Sequence, residues 1–269
     1  MQGPYYDTLL LSDVHLGSDI SRARDALALL NSCSYRRLIL LGDIFSDLNF
    51  ARLNGDHWKF LSQIRKLSNR KRRIEVVWVE GNHDHGLSQV MSHLVGIPVY
   101  QRYVWEYQGK RHLAIHGHQF DRFVANNAFI SRMGELLYAR IQKLDHSSKV
   151  FSRYLDRLNT RWLRLETKVA NGALAYAKSG NIDRIFCGHT HLSAHIERDG
   201  IAYYNTGCWI DSRPTYITIG EEGVCIREHD SGTYNRDPSP EREPEPAAAV
   251  DLFEQAGLSP VGAYQSLRC

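Results

Sequence analysis

The chain has 269 residues, of which 43% are hydrophobic and 23% charged, with 20 Gly, 8 Pro, 5 Cys and a formal net charge of +3. These values are typical of soluble globular proteins and exclude collagen-like, disulfide-scaffold and wholly disordered chains. The length suits one large α/β domain or two small ones, and no apolar run approaches the roughly 20 residues that span a bilayer. The start lacks a basic segment followed by an apolar one, and the five cysteines form no CxxC pair. We therefore expect free thiols and a cytoplasmic location.

Short apolar runs alternate with amphipathic stretches along the first 118 residues, and similar short runs return after residue 180. Runs that are apolar on both faces predict strands buried between helix layers, and apolar residues at helical spacing predict helices. The predicted strands are Thr8–Leu11, Leu38–Leu41, Ile74–Val79, Leu113–Ile115, Arg184–Cys187, Ala202–Asn205 and Thr215–Ile219, and the predicted helices are Arg22–Leu30 and His57–Leu67. This alternation predicts an α/β layered core formed by residues 1–118 and 180–235.

Residues 119–179 interrupt this pattern with apolar residues that recur every three, four or seven positions. Such periodicity predicts an insertion of two or three helices within the core. Between Arg122 and Lys168 the segment has ten Lys/Arg and four Asp/Glu, a net charge of +6. It is interpreted either as a solvated helical face or as a basic cap over an anionic amphipathic substrate.

Residues 236–269 differ in composition from the rest of the chain. They contain six acidic and three basic residues, and five of the eight prolines. A segment of this kind buries too little apolar surface to offset its ordering entropy. We predict a mostly disordered acidic tail, either solubilising or able to recruit a partner.

Polar side chains follow the predicted strands, each close to a glycine or directly at the end of the strand. Because ligands of an α/β sheet collect at the carboxyl ends of its strands, these side chains are expected to meet. Carboxylates, an amide and imidazoles together suit Mn, Fe, Zn or Co. They are too many for one tetrahedral ion and about right for two octahedral ions that share a carboxylate. The motifs are Asp13-Val-His15, Gly42-Asp43, Gly81-Asn82-His83-Asp84, His116-Gly-His118 and Gly188-His189-Thr-His191.

The five motifs, in this order and spacing, resemble those of the calcineurin-like metallophosphoesterases. The resemblance implies a layered α/β fold with two β-sheets flanked by helices, with the helical insertion as a cap. It also implies two divalent metal ions, with Mn expected and Fe, Zn or Co as alternatives. The first ion's implied ligands are Asp13, His15, Asp43 and His191; the second's are Asp43, Asn82, His116 and His189, with Asp43 bridging. Such a pair can clamp a phosphoryl group and generate a bridging hydroxide that attacks phosphorus in line.

Three further residues of the motifs are predicted to act near these ions. By the resemblance, His83 lies beside the leaving group, where an imidazole can stabilise charge or donate a proton. Asp84 either orients that imidazole or caps a loop. His118 contacts substrate, supports His116 or faces solvent.

Within this superfamily the chain is similar to the UDP-2,3-diacylglucosamine hydrolases of lipid A synthesis and their relatives. The similarity rests on Leu11–Ser18, on His116–Asp121, on Tyr204–Trp209 and on the helical insertion, which in that family forms a lid for acyl chains. It implies hydrolysis of an amphipathic nucleotide-sugar lipid to UMP and a lipid phosphate, at the inner face of a membrane. Candidate substrate-binding residues, chosen for position and charge, are His118, Arg122, Asn126, Arg153, Arg157 and Arg161.

Two other functions are compatible with parts of the sequence. Known hydrolases of that group carry Arg at the position of His83 and tend to carry Asp at those of His118 and Cys208, so a sister branch with another phosphodiester or pyrophosphate substrate is an alternative. A phosphodiesterase acting on nucleotides or nucleic acid would use the same metals, although the chain has no RGG-type tract. A non-catalytic scaffold is disfavoured because all seven predicted ligands are present.

Overall fold

The computed structural model describes residues 3–47, 49–86, 92, 96–121 and 165–230. Eleven strands occur in these ranges: β1 (Tyr5–Leu11), β2 (Ser34–Leu41), β3 (Glu75–Val79), β4 (Val99–Tyr100), β5 (Tyr103–Tyr107), β6 (Lys110–Ala114), β7 (Arg184–Cys187), β8 (Ser193–Arg198), β9 (Ile201–Thr206), β10 (Thr215–Gly220) and β11 (Gly223–Glu228). The same ranges contain three α-helices: α1 (Ala23–Ser32), α2 (Gly55–Leu67) and α3, which covers residues 165–179. The predicted cap residues Arg122, Asn126, Arg153, Arg157 and Arg161 and the acidic tail 236–269 lie outside the described residues.

The strands form two sheets. The first has the order β11-β10-β1-β2-β3-β4, and the second has the order β5-β6-β7-β9-β8. Strands β1, β2 and β3 are parallel neighbours in the first sheet, and β6 and β7 are parallel neighbours in the second. The carboxyl ends of parallel neighbours meet at one edge of each sheet, which is where the predicted ligands follow in the sequence.

The first sheet is buried on both faces. One face packs Leu9, Leu38 and Trp78 in a cluster with α1 and α2. Because side chains alternate along a strand, Leu10, Ile39 and Val77 point the other way. They share a cluster with side chains of the second sheet, such as Trp105 and Phe186. The prediction that these strands are buried on both faces is therefore confirmed, but one covering layer is a sheet rather than a layer of helices.

Local sequence explains the position of α2. Asn54 precedes this helix, and its side chain accepts hydrogen bonds from the backbone N–H groups of Asp56 and His57. The His57 ring in turn accepts from the backbone N–H of Asn54, which completes a capping box. The same ring nitrogen lies 3.3 Å from the backbone nitrogen of Gly17, so the start of α2 also contacts the loop that follows β1.

The helix α3 covers the outer face of the second sheet. Its Ala170, Ala173 and Ala177 are buried in a cluster with Leu113 of β6 and Ile185 of β7. These residues fall at the end of the insertion predicted over residues 119–179. Their small side chains allow the helix to approach the sheet closely.

Each predicted strand and helix within the described residues is present, with ends that differ by a few residues. Strands β4, β5, β8 and β11 were not predicted. No helix of the described ranges is long and apolar enough to cross a membrane.

Candidate metal centre

Loops at the carboxyl ends of five strands carry the seven predicted ligands. Asp13 and His15 follow β1, Asp43 follows β2 and Asn82 follows β3 in the first sheet. His116 follows β6, and His189 and His191 follow β7 in the second sheet. The ligands therefore come from both sheets.

Several of these ligands have an uncommon backbone conformation. Among the described residues, nine non-glycine residues have positive φ. Left-handed φ is rare for residues with a Cβ, and such residues cluster at functional sites. Five of the nine are predicted ligands: Asp13 (52°), His15 (51°), Asp43 (51°), His189 (69°) and His191 (60°). This clustering is an indication of function that does not depend on the sequence motifs.

Asp13, His15 and His191 form the first group of potential ligands. Each offers one ligand atom, and these atoms all lie within 4.8 Å of one another. The Nε2 atom of His191 lies 3.2 Å from Nε2 of His15 and 3.3 Å from Oδ1 of Asp13. A single ion could therefore contact all three side chains.

Asp43, His116 and His189 form a second group with the same spacing. The Nε2 atom of His116 lies 3.3 Å from Oδ2 of Asp43, while its Nδ1 lies 3.0 Å from the carbonyl oxygen of Leu41. That carbonyl holds Nδ1 as the N–H and leaves Nε2 to face the site. The backbone carbonyl of Asp43 also accepts the backbone N–H of His15 at 3.1 Å, so the main chain of Asp43 contacts a residue of the first group.

Buried polar atoms test whether these residues fit divalent cations. In the described ranges, the buried side-chain atoms without a hydrogen-bond partner include Asp13 Oδ1, Asn82 Oδ1 and His116 Nε2. Leaving a buried polar atom unpaired costs about 1–3 kcal/mol. Divalent cations would satisfy these atoms, and the mixture of carboxylate, amide and imidazole donors suits Mn, Fe, Zn or Co. The residues fit divalent metal binding, and the donor set does not distinguish among these metals.

The two carboxylates are held by neighbours that leave an oxygen for the site. Oδ2 of Asp13 contacts the hydroxyl of Ser12 and accepts the backbone N–H of His189 at 3.1 Å. Oδ1 of Asp43 accepts the backbone N–H of His83 at 2.8 Å. Ser12 was not predicted to belong to the site; its hydroxyl is buried and also contacts Thr206.

Burial and charge set the protonation of the imidazoles. Burial favours the neutral form of His116, but the negative charge of Asp43, 3.3 Å away, outweighs burial and raises the pKa of His116 to about 9. Burial, followed by the charge of His191, lowers the pKa of His15 to about 4. The charge of His116 in turn holds the pKa of Asp43 well below its usual range, although burial opposes this. At neutral pH the metal-free protein therefore keeps a proton between His116 and Asp43, whereas His15 is neutral.

This difference predicts a proton release when metal binds. Below pH 9 a cation must displace the proton of His116, whereas at neutral pH His15 has none to lose. We expect Mn²⁺ binding at pH 7 to release about one proton from His116, and the affinity of the second group to fall by about tenfold for each pH unit below 9. Calorimetric titrations in two buffers with different ionisation enthalpies measure this release. Binding heats that are the same in both buffers would contradict the predicted protonation of His116.

His83 lies next to both ligand groups. Its Nδ1 is 2.7 Å from the carbonyl oxygen of Ser46, its Nε2 is 3.8 Å from Oδ2 of Asp43, and its ring centroid is 5.3 Å from that of His15. Because the Ser46 carbonyl can only accept, Nδ1 is the N–H and Nε2 faces Asp43.

Asp84 contacts the backbone of the loop after β2. Its carboxylate accepts the N–H groups of Ile44 at 3.1 Å and Phe45 at 3.0 Å. Burial, followed by the charge of Asp43, raises the pKa of Asp84 to about 6. These contacts agree with the loop-capping alternative.

His118 lies beside the second ligand group. Its ring centroid is 5.4 Å from that of His116 and 6.3 Å from that of His189. Burial, followed by the positive charges of these two histidines, lowers the pKa of His118 to about 3. A neutral imidazole here can contact substrate as a hydrogen-bonding group.

Asp121 was not predicted as a site residue. Its side chain is buried, and its Oδ2 lies 3.7 Å from Nε2 of His189. The sequence feature that could have indicated this residue is its position five residues after the predicted ligand His116, at the end of the motif His116–Asp121.

Solved structures are similar to this chain at low sequence identity. An archaeal phosphodiesterase shares 15% identity, with 82% of this chain and 98% of that chain covered and a TM-score of 0.45. A single mutant of Vps29 from Entamoeba histolytica shares 13% identity, with 85% and 99% covered and a TM-score of 0.42. A predicted phosphoesterase from Streptococcus pneumoniae shares 14% identity, with 82% and 96% covered and a TM-score of 0.36. No curated protein matches the chain.

A family comparison covers most of the chain. Residues 7–221 match the profile of the Calcineurin-like phosphoesterase superfamily domain. The matched range contains all seven predicted ligands, and two sheets flanked by helices are the fold of this family. The chain therefore belongs to the calcineurin-like phosphoesterase superfamily, and this membership implies metal-dependent hydrolysis of a phosphoester bond.

Proposed function

We propose that the protein uses two divalent ions, with Mn expected, to hydrolyse the pyrophosphate bond of UDP-2,3-diacylglucosamine or a related amphipathic nucleotide-sugar lipid. The products would be UMP and a lipid phosphate. The observation that carries the two-ion part is the position of Asp43. It belongs to the second ligand group through its carboxylate and accepts the backbone N–H of His15, a ligand of the first group, through its carbonyl.

Some residues of the chain would bind the ions, and others would donate or accept protons. Two bound divalent ions supply charge neutralisation for a phosphoryl group and lower the pKa of a water. Asp13, His15 and His191 would hold the first, and Asn82, His116 and His189 the second, with Asp43 shared. Each carboxylate is fixed by a backbone N–H on one oxygen, which limits the number of orientations open to the other.

His83 is the proposed partner of the leaving group. With its Nδ1–H directed at the Ser46 carbonyl, its Nε2 is the atom that can hold a proton for the departing oxygen. The Asp43 carboxylate lies 3.8 Å from this Nε2 atom. Asp84 would support this arrangement indirectly, because it holds the backbone of Ile44 and Phe45 next to Asp43.

Support for an amphipathic substrate comes from the loops that carry the ligands. Two large apolar side chains on these loops, Phe50 and Leu192, are each 36% exposed. Leu192 follows the ligand His191, and the ring of Phe50 packs against Phe45 at 5.4 Å. The segment between Arg122 and Lys168 adds basic charge and helical apolar periodicity. We propose that it receives the acyl chains, that Arg122, Asn126, Arg153, Arg157 and Arg161 meet the phosphates or an anionic membrane surface, and that His118 contacts the substrate.

Product analysis tests this function. Purified protein with Mn²⁺ is offered UDP-2,3-diacylglucosamine, and in parallel a simple aryl phosphodiester and a short oligonucleotide. Release of UMP and the diacylated sugar phosphate at a higher kcat/KM than the other two substrates supports the proposal. Hydrolysis of the aryl diester alone would agree with phosphoesterase activity but contradict the proposed lipid substrate. Preferred cleavage of the oligonucleotide would favour the nucleic-acid alternative.

A further inference from the structure

The geometry around His189 points to a positioning role for Asp121, a residue outside the seven predicted ligands. We propose that the Asp121 carboxylate accepts the Nε2–H of His189 and thereby directs Nδ1 of that ring to the second ion. This inference rests on the two-ion part of the proposed function and is independent of the substrate.

The first argument is the unpaired nitrogen of His189. An imidazole that binds a metal through one nitrogen carries a proton on the other, and that N–H needs an acceptor when it is buried. In the described part of the chain, Nε2 of His189 is buried and has no hydrogen-bond partner within normal distance. The carboxylate oxygen Oδ2 of Asp121 is 3.7 Å from it, so a small ring movement would close the hydrogen bond.

His116, the other histidine of the second group, shows the same division of roles. Its Nδ1 is engaged by the Leu41 carbonyl at 3.0 Å, which leaves Nε2 for the site. Asp121 would do for His189 what that carbonyl does for His116. Among the described residues, the second ligand group consists of Asp43, His116 and His189, without Asp121. A role behind His189 is therefore favoured over direct metal binding.

The backbone before Asp121 is well fixed. Asp121 ends a short 3-10 helix over His118–Phe120, and its backbone N–H bonds to the carbonyl of His118 at 3.1 Å. The ring of Phe120 packs against α3, where Gly172 has no side chain: a Cβ there would lie 2.9 Å from the Cβ of Phe120. The ring also lies 5.8 Å from that of Tyr176. Helix α3 thus packs against the turn that places Asp121 beside His189, and this packing restricts the turn's movement.

The test compares Asp121→Ala and Asp121→Asn with the wild-type protein in Mn²⁺ titrations followed by calorimetry and electron paramagnetic resonance. Loss of a carboxylate that orients a ligand typically weakens metal binding by 10–100-fold. We expect Asp121→Ala to bind the first ion as the wild type does and the second about 10–100-fold more weakly, with the signal of a coupled ion pair replaced by that of an isolated Mn²⁺. Asp121→Asn keeps an acceptor oxygen, so its affinity for the second ion should fall less than that of Asp121→Ala.

Asp7→Asn is the matched control. Asp7 is also a buried carboxylate, but it lies in β1 before the site and is paired with Arg36 at 2.7 Å. This variant should keep wild-type affinity for both ions. Equal binding of two ions by the wild type and Asp121→Ala would overturn the role of Asp121 while leaving the proposed function intact. The role is also overturned if the folded Asp121→Asn protein loses both ions together, whereas a wild type that binds a single ion contradicts the two-ion function itself.

Discussion

Replacement of Asp43 by alanine should abolish hydrolysis, and replacement by asparagine should lower kcat by about 10³-fold or more. The carboxylate is the one side chain that the account assigns to both ions. Its Oδ2 lies 3.3 Å from His116 Nε2, and its Oδ1 holds the backbone N–H of His83. Asparagine keeps the shape and one acceptor oxygen but removes the negative charge. The loss of activity in Asp43→Asn therefore measures the contribution of that charge.

The measurement is steady-state hydrolysis of an aryl phosphodiester with metal content determined on the same samples. Asp199→Asn is the control, because Asp199 is an exposed carboxylate paired with Lys178 at 2.9 Å and should leave both quantities unchanged. Near-normal turnover by Asp43→Asn would contradict the shared role of this carboxylate.

Replacement of Gly81 by alanine should lower activity almost as strongly, although the added methyl group carries no charge. A Cβ at this position would lie 2.2 Å from Oδ1 and 2.3 Å from the backbone nitrogen of Asp43. Because real Cβ contacts are never this short, the loop carrying Asp43 would have to move, and with it the spacing to His116. Misplacement of a reacting group by about 1 Å can reduce the rate by about 10²-fold. We expect at least that loss, together with weaker binding of the second ion.

Gly55→Ala is the control for this substitution. Gly55 begins α2, and a Cβ there meets no atom within 4 Å. Alanine also has a higher helix propensity than glycine, so this variant should be at least as stable as the wild type and equally active. If Gly81→Ala retains wild-type activity and metal content, the close packing of Gly81 against Asp43 does not position the ligand.

The sequence allowed prediction of the parts of the site that follow strongly apolar strands. Leu38–Leu41 and Ile74–Val79 are unambiguous strands, and a glycine followed by Asp43 or Asn82 marks the point where each chain turns into the site. Because parallel strands bring their carboxyl ends together, the meeting of these loops followed from the order of elements.

The strands at the edges of the second sheet could not be predicted from the periodicity of the sequence. Strand β5 alternates aromatic residues with Val104 and Glu106, and β8 is only partly buried, so neither has the pattern of a central strand buried on both faces. Their membership in a second sheet packed against the first depends on long-range pairing with β6 and β9. Single-sequence periodicity does not contain that information.

The residues that support the ligands were also hard to predict. Ser12 and Asp121 act through side-chain contacts with Asp13 and His189, and these contacts exist only once loops from different strands meet. Asp84 illustrates the same limit: the sequence left open whether it orients His83 or caps a loop, and the bonds of its carboxylate to the backbone N–H groups of Ile44 and Phe45 exist only in the folded chain.

A crystal structure of the Mn²⁺-loaded protein, with anomalous data recorded near the manganese absorption edge, tests the central claim most directly. We expect two anomalous peaks about 3.5–4 Å apart on either side of Asp43. One peak should contact Asp13, His15 and His191, and the other Asn82, His116 and His189. A single peak at full occupancy, or two peaks that do not share Asp43, would contradict it.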